Sequence, residues 1–238
     1  TPELPHLNYL TNLMSKAELL AASNYRKRLA RKLIGLYVIV DPELTAERDV
    51  RWIIEQSIRG GASVIQLRVK NQNKGDWIEL ALEIERICTS EEVIFIVNDH
   101  SDLAVASNSH GVHLGQNDLP LGSAREVLRP WQLIGTSNAL ISEAQASYNN
   151  GSDYLAVGRI FPTTSKENTR PAGIETLSAI REIIPADGPP LIAIGGINLG
   201  NIKQVTTTGV NGICVISAVT LAKNPQEAAQ RILDAMNN

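Results

Sequence analysis

Val93-Ile94-Phe95-Ile96-Val97-Asn98-Asp99 and Gly111-Val112-His113-Leu114-Gly115-Gln116-Asn117-Asp118 are the stretches that decide the fold. Each is a short apolar run that stops abruptly at amides and a carboxylate. Only a brief segment with room for one short helix, around Ser101 to Ser107, separates them. Working outward, the same pattern recurs at Leu36 to Val40, Val64 to Leu67, Leu133 to Gly135, Tyr154 to Val157, Leu191 to Ile194 and Ile213 to Ile216. These runs are apolar at successive rather than alternate positions, as expected of parallel strands buried on both faces. Between them lie segments of helical period: Trp52, Ile53, Gln56 and Ile58; Trp77, Leu80, Ala81, Ile84 and Ile87; Ile174, Leu177, Ile180 and Ile184. Eight strands alternating with helices leave two architectures, a closed (β/α)8 TIM barrel or an open doubly wound sheet. An open sheet concentrates its site at one switch point. Here polar residues end nearly every run, so an α/β barrel with all its chemistry on one rim is expected.

The composition suits one compact enzyme. A chain of 238 residues with 43% hydrophobic content can bury one large core, and no Pro/Ser-rich linker divides it. A catalytic barrel over residues 35–238 is expected, preceded by an N-terminal helical extension or linker over residues 1–34. Cys88 and Cys214 lie far apart without Cys or His partners in metal-binding spacing, which suggests neither a disulfide nor zinc. No long apolar run or signal pattern points to a membrane, and a formal charge of −3 argues against a nucleic-acid partner. A cytoplasmic enzyme of small-molecule substrates is the expectation, with a homo-oligomer left open.

The N-terminal segment differs from the rest. Tyr25 to Lys32 reads YRKRLARK, and removing its five cations takes the remaining charge from −3 to −8. The pattern predicts a helix from about Ser15 to Leu33, burying Leu19, Leu20, Leu29 and Leu33 and showing Arg26, Lys27, Arg28 and Lys32 to water. A contact with nucleic acid or an anionic membrane is the competing reading.

The rim carries the chemistry. With Leu67 in a packed layer, Gln66 and Arg68 share the opposite phase, and Arg68 with Lys70 makes a cationic fork suited to a diphosphate. Ordinary salt bridges are the alternative for that pair. Asp99 and Asp118 are hard oxygen ligands on neighbouring strand ends, the arrangement that holds Mg²⁺ when substrate phosphates complete its shell. Alternatively, Asp99 caps the helix that starts at Ser101. Thr163, Thr164, Ser165 and Lys166 follow the sixth run, offering three hydroxyls and a mobile cation to an anion. Gly195-Gly196-Ile197 and Ile216-Ser217-Ala218 end the seventh and eighth runs, where many barrels bind a phosphate. The tally is one monophosphate site and a separate cationic, metal-bearing site, hence two anionic substrates.

QLRVK, VNDH, GVHLGQND, FPTTSK, AIGGI and VISAV, in this order and spacing, resemble the thiamine phosphate synthase family over residues 35–238. The resemblance implies a transferase that joins 4-amino-2-methyl-5-(diphosphooxymethyl)pyrimidine to a (carboxy)thiazole phosphate, releasing pyrophosphate. It also implies that Gln66, Arg68, Lys70, Asn98, Ser137 and Lys166 hold the pyrimidine diphosphate, with Arg68, Lys70 and Lys166 meeting the charge that develops on the leaving group. Asp99 and Asp118 would hold Mg²⁺, and Thr163, Thr164, Ser165, Gly196, Ile216 and Ser217 would line the thiazole phosphate. One departure stands out. Relatives often read Ser-x-His after the fifth run, and this chain reads Ser137-Asn138-Ala139. That removes the acid/base histidine of the nearest rival, a thiazole tautomerase of the same fold. His113, inside a strand, is read as a satisfied core or rim histidine. A non-catalytic module that binds thiamine precursors is a further alternative, but it has no use for Asp99 and Asp118.

Overall fold

The computed structural model describes residues 4–70, 74–165 and 170–237. Helix α1 (Leu4–Ala30) leads into strand β1 (Gly35–Val40), and strands and helices then alternate to the end of the chain. In order they are α2 (Val50–Arg59), β2 (Ala62–Leu67), α3 (Lys74–Ser90), β3 (Ile94–Asn98), α4 (Ser101–Ala106), β4 (Gly111–Leu114), α5 (Leu121–Val127) and β5 (Leu133–Asn138). There follow α6 (Ile141–Asn149), β6 (Tyr154–Val157), α7 (Gly173–Ile183), β7 (Leu191–Ile194), α8 (Ile202–Thr206), β8 (Gly212–Val215), α9 (Ser217–Thr220) and α10 (Pro225–Asn237). All eight strands are parallel, each pairs with its sequence neighbour, and β8 closes on β1, giving a (β/α)8 TIM barrel.

Every strand but β4 contributes to two apolar layers, which is why most runs read as continuously apolar; β4 gives Val112 and Leu114 to the outer layer alone. Leu36, Val38, Ile65, Leu67, Phe95, Val97, Leu155 and Val157 belong to the large cluster packed under the outer helices. Tyr37, Ile39, Val64, Ile94, Ile96, Leu133, Tyr154, Ile192 and Cys214 form a second cluster, the barrel interior. Small residues make room there for one large ring. A Cβ on Gly135 would sit 1.9 Å from Tyr154 Cζ, so glycine at that point of β5 is what lets Tyr154 cross the interior.

β5 runs three residues further than its apolar pattern, through Thr136, Ser137 and Asn138, because these polar residues still pair backbone to backbone with β6. Their side chains are polar because this end of the strand lines the mouth of the barrel.

The N-terminal helix corrects the sequence reading in three respects. It begins at Leu4, well before Ser15. Its last turn and the residues just after it join the barrel interior, Leu29, Ala30 and Leu33 being buried in the same cluster as Tyr37 and Leu133. Fully burying a leucine is worth up to about 1.5–3 kcal/mol. Leu19 and Leu20, by contrast, are 61% and 64% exposed, as are Tyr9, Leu13 and Met14 along the preceding turns. That is the second correction: the leucine face is only a plug at its C-terminal end. Thirdly, Arg26 is not a solvated cation. It pairs with Asp153 at 3.2 Å, a carboxylate that also accepts from Arg125 at 2.5 Å and from the Ile134 amide. Lys27, Arg28 and Lys32 do face water. Among the described residues no helix is long and apolar enough to cross a membrane.

Candidate active site

At the C-terminal mouth of the barrel the strand ends enclose a cavity of about 330 Å³. Its wall includes Gln66 and Arg68 from β2, Asn98 and Asp99 from β3, Asp118 after β4 and Ser137 from β5. It continues through Thr163 and Ser165 after β6, Gly195 and Gly196 after β7, and Ile216 and Ser217 after β8. Most of the residues singled out from the sequence therefore meet in one space. Lys70 and Thr164 are exposed and are not part of the described wall. Lys166 lies outside the described residues.

The β2 side is built around a buried ion pair. Leu67 packs outward and Arg68 points to the cavity, as the phase of the strand requires. Arg68 Nη1 donates to Asp41 Oδ2, with side chains only 6% and 4% exposed. Asp41 is the residue immediately after β1, and its partnership was not read from the sequence. The signal was present, since Asp41 ends its apolar run as Asp99 and Asn98 end theirs. Among the described residues Arg68 Nε has no hydrogen-bond partner, nor do Gln66 Oε1 and Asn98 Nδ2. Buried polar atoms of this kind are expensive to leave unmatched. One acceptor and two donors thus await a ligand on the β2–β3 wall.

Asp99 adopts a left-handed backbone, φ +62°, and its amide donates to the His113 carbonyl at 2.8 Å. Non-glycine residues take this conformation rarely, and aspartate is among those that tolerate it. Asp99 is not the cap of α4: that place falls to His100, which makes no side-chain capping bond. Asp118 Oδ2 accepts from the Gly115 amide at 2.7 Å, closing the turn after β4 and fixing the carboxylate at the cavity wall. The two carboxylates thus come from adjacent strand ends and face one space. Among the described residues there is no cluster of three or more His, Cys, Asp or Glu side chains with metal-binding potential.

The opposite wall is made of hydroxyls and close backbone. Ser165 Oγ lies 2.9 Å from Ser217 Oγ, tying the loop after β6 to the start of α9. Gly195 and Gly196 take φ of +103° and +65°, and a Cβ on Gly196 would meet the Pro162 carbonyl oxygen at 2.6 Å. Only glycine lets these two loops close to that distance. Arg159 and Arg170 also line the cavity, held together by an Arg159 amide to Arg170 carbonyl bond of 3.1 Å. Arg170 donates to Glu143 at 2.5 Å. Burial pushes the Glu143 carboxyl up, but the Ala139 and Leu140 amides and Arg170 outweigh it and hold it below the usual range. Neither arginine was read as a site residue, because a cation in a long loop carries no periodicity to mark which way it faces.

The floor is a chain of buried polar groups. Gln66 Nε2 donates to Tyr37 Oη at 2.6 Å, and Tyr37 Oη lies 3.1 Å from Tyr154 Oη. Tyr154 Oη is 3.0 Å from His113 Nδ1, whose ring Nε2 is 2.8 Å from Ser137 Oγ. His113 is therefore the satisfied buried histidine expected from its place in a strand. Ala139, where relatives often carry histidine, is 6% exposed and lines the same cavity.

Comparison with known proteins agrees with this geometry. Residues 36–219 match the family model for thiamine monophosphate synthase. A thiamine-phosphate synthase of Shouchella clausii is 40% identical over 86% of this chain and 97% of its own length. One from Methanospirillum hungatei is 42% identical over 85% and 97%. Among solved structures, thiamine phosphate pyrophosphorylase from Pyrococcus furiosus superposes with a TM-score of 0.80 at 35% identity, covering 88% of this chain and 98% of that one. A chain with this barrel, this cavity and these relatives belongs to the thiamine monophosphate synthase family and is a transferase of thiamine biosynthesis.

Proposed function

We propose that the cavity condenses 4-amino-2-methyl-5-(diphosphooxymethyl)pyrimidine with a (carboxy)thiazole phosphate to give thiamine phosphate and pyrophosphate. The observation that carries this reading is the division of one cavity into two unlike anion-holding walls. On one side stand Arg68, Asp99 and Asp118 with the unmatched amide atoms of Gln66 and Asn98. On the other stand Thr163, Ser165, Ser217 and the Gly195-Gly196 backbone. The first wall suits a diphosphate attached to a flat heterocycle with donors and acceptors on its edge; the second suits a monophosphate without a metal.

The donor set fits Mg²⁺. Two carboxylates on neighbouring strand ends, with no histidine or thiol completing a metal-binding cluster among the described residues, are hard oxygen ligands that leave coordination positions for phosphate oxygens. Asp99 and Asp118 would hold the ion, which supplies charge neutralisation to a departing pyrophosphate when bound. The rest of the chemistry falls to the chain. Arg68 meets negative charge as it grows on the leaving group, and Lys70 and Lys166 are proposed to add to that field. Gln66 and Asn98 hold the pyrimidine edge so that its methylene carbon faces the thiazole nitrogen. The second wall anchors the thiazole phosphate and aims that nitrogen, turning a bimolecular attack into a positioned one. An aminopyrimidine stabilises positive charge on its methylene, so bond breaking runs ahead of bond making and no protein nucleophile takes part.

The tautomerase reading lacks support at its critical position, since Ala139 offers no proton-transfer group. The test is turnover with substituted pyrimidine diphosphates. An electron-withdrawing group on the ring is expected to slow pyrophosphate release strongly. If it reacts as fast as the unsubstituted compound, the dissociative order is wrong. If no pyrimidine diphosphate is consumed, the assignment itself is wrong.

A further inference from the structure

We propose that Tyr37, Tyr154 and His113 act as a positioning relay beneath the cavity, fixing the hydrogen-bond polarity of Gln66 and Ser137 and thereby selecting an amino- over an oxo-pyrimidine. The inference rests on the function proposed above and goes beyond it, because none of the three is needed to touch the reacting atoms.

The argument is one of proton counting. Gln66 Nε2 donates to Tyr37 Oη, so the Tyr37 oxygen acts as acceptor and its own proton is directed to its other neighbour, Tyr154 Oη. Tyr154 Oη has then accepted, and its proton goes to His113 Nδ1. An Nδ1 that accepts leaves the proton on Nε2, which donates to Ser137 Oγ. Ser137 has accepted in turn, so its hydroxyl proton is directed away from the floor. With the Gln66 amide donating, this is the one assignment in which each phenol and the neutral imidazole spends its single proton within the chain. Burial, above all, raises the pKa of both phenols, so both keep their protons throughout the working range.

The two ends of this chain line the cavity, as does the His113 ring beside Ser137, while Tyr37 and Tyr154 lie beneath it. Gln66 turns its amide nitrogen to the floor and leaves Oε1 buried and unmatched. That oxygen accepts from an exocyclic amino group and repels an exocyclic carbonyl. Ser137 presents a donor, which suits a diphosphate oxygen. Run in reverse, the same chain would turn an amide N–H into the cavity at Gln66 and lock the Ser137 proton onto His113, leaving lone pairs toward an anion. Low dielectric strengthens such a network and makes a mismatched end costly. A site built to hydrogen-bond one edge group rejects the analogue that lacks it by large factors.

Tyr154→Phe interrupts the relay while keeping the ring that fills the space above Gly135. Tyr37 is then free to donate to Gln66, and the amide can turn over. The measurement is the ratio of kcat/KM for the 4-amino and 4-oxo pyrimidine diphosphates. It is expected to fall at least tenfold in Tyr154→Phe, with KM for the thiazole phosphate changing less than twofold. A ratio unchanged in this variant, whatever its melting temperature, reduces the chain to a structural role and overturns the proposal. The wild-type protein supplies a second readout independent of turnover. ¹⁵N NMR of the His113 ring, assigned by its loss in His113→Gln, is expected to show the neutral Nε2–H tautomer. The Nδ1–H tautomer overturns the relay. If the wild type forms no thiamine phosphate, the function proposed above fails, and the tautomer still decides the polarity of the chain.

Discussion

Replacing Asp41 with Asn removes one charge from the most buried ion pair of the cavity while keeping its shape. Arg68 is left with a guanidinium whose side chain is 6% exposed and whose Nε already lacks a partner. Breaking a buried pair from one side costs about 3–5 kcal/mol, because the surviving charge is neither hydrated nor matched. The low end applies, since Arg68 borders a cavity that water can enter. At about 2–4 °C per kcal/mol for a chain of this size, about 3 kcal/mol becomes a fall in Tm of roughly 6–12 °C. If Arg68 faces the leaving group, inorganic pyrophosphate with Mg²⁺ should replace the missing carboxylate and raise the Tm of Asp41→Asn by more than that of the wild type. The double change Asp41→Asn with Arg68→Gln should recover most of the stability and none of the activity. Differential scanning calorimetry with and without pyrophosphate, with a turnover assay of the double variant, checks all three. A single variant that melts within 2 °C of the wild type, or equal stabilisation of both proteins by pyrophosphate, would refute the reasoning.

Three further outcomes are expected. Asp99→Asn and Asp118→Asn should each lower turnover about 10²-fold with unchanged circular dichroism, because charge stabilisation and not folding is lost; activity indifferent to EDTA and to both changes contradicts the metal assignment. Deleting residues 1–24 should move Tm by no more than about 2 °C, since the described side chains of that stretch are largely exposed, whereas Leu33→Ala should cost about 2–5 kcal/mol in denaturant titration. Burial lowers the pKa of His110, whose Nδ1 accepts from the Phe95 amide, so the unfolded chain takes up a proton that the fold resists. The sign follows: this contribution to stability is present above about pH 6.5, the unfolded value, and is lost as pH falls towards the lowered folded value. Urea midpoints measured from pH 8 to pH 5 should fall at the acid end, and less so in His110→Gln.

The strands were legible because a barrel strand has no wet face: Ile94 to Val97 is apolar at every position, the even residues facing inward and the odd ones outward. The rim was legible because polar residues interrupt the runs at a similar depth, which is why Gln66, Arg68, Asn98 and Asp99 were found together, whereas Ser137 came only from the family resemblance. Asp41 ends its run as Asn98 and Asp99 end theirs, but its pairing with Arg68 went unread, since ion pairs across neighbouring strands leave no local mark. The Tyr37–Tyr154–His113 chain was hidden for a different reason. Tyrosine and histidine inside an apolar run read as core, and their hydroxyl and ring nitrogens find each other only once the barrel closes. Leu19 and Leu20 misled because an apolar helix face implies a partner without naming one, and the barrel takes only Leu29 and Ala30 at the end of α1 and Leu33 just beyond it.

The central claim is that one cavity brings a pyrimidine diphosphate and a thiazole phosphate into reaction. It is tested most directly by incubating the purified protein with both compounds and Mg²⁺ and measuring thiamine phosphate and pyrophosphate in the same sample. Equal amounts of the two products, formed at a rate proportional to enzyme and abolished when either substrate is left out, are predicted. No thiamine phosphate, or thiamine phosphate formed without matching pyrophosphate, would contradict it.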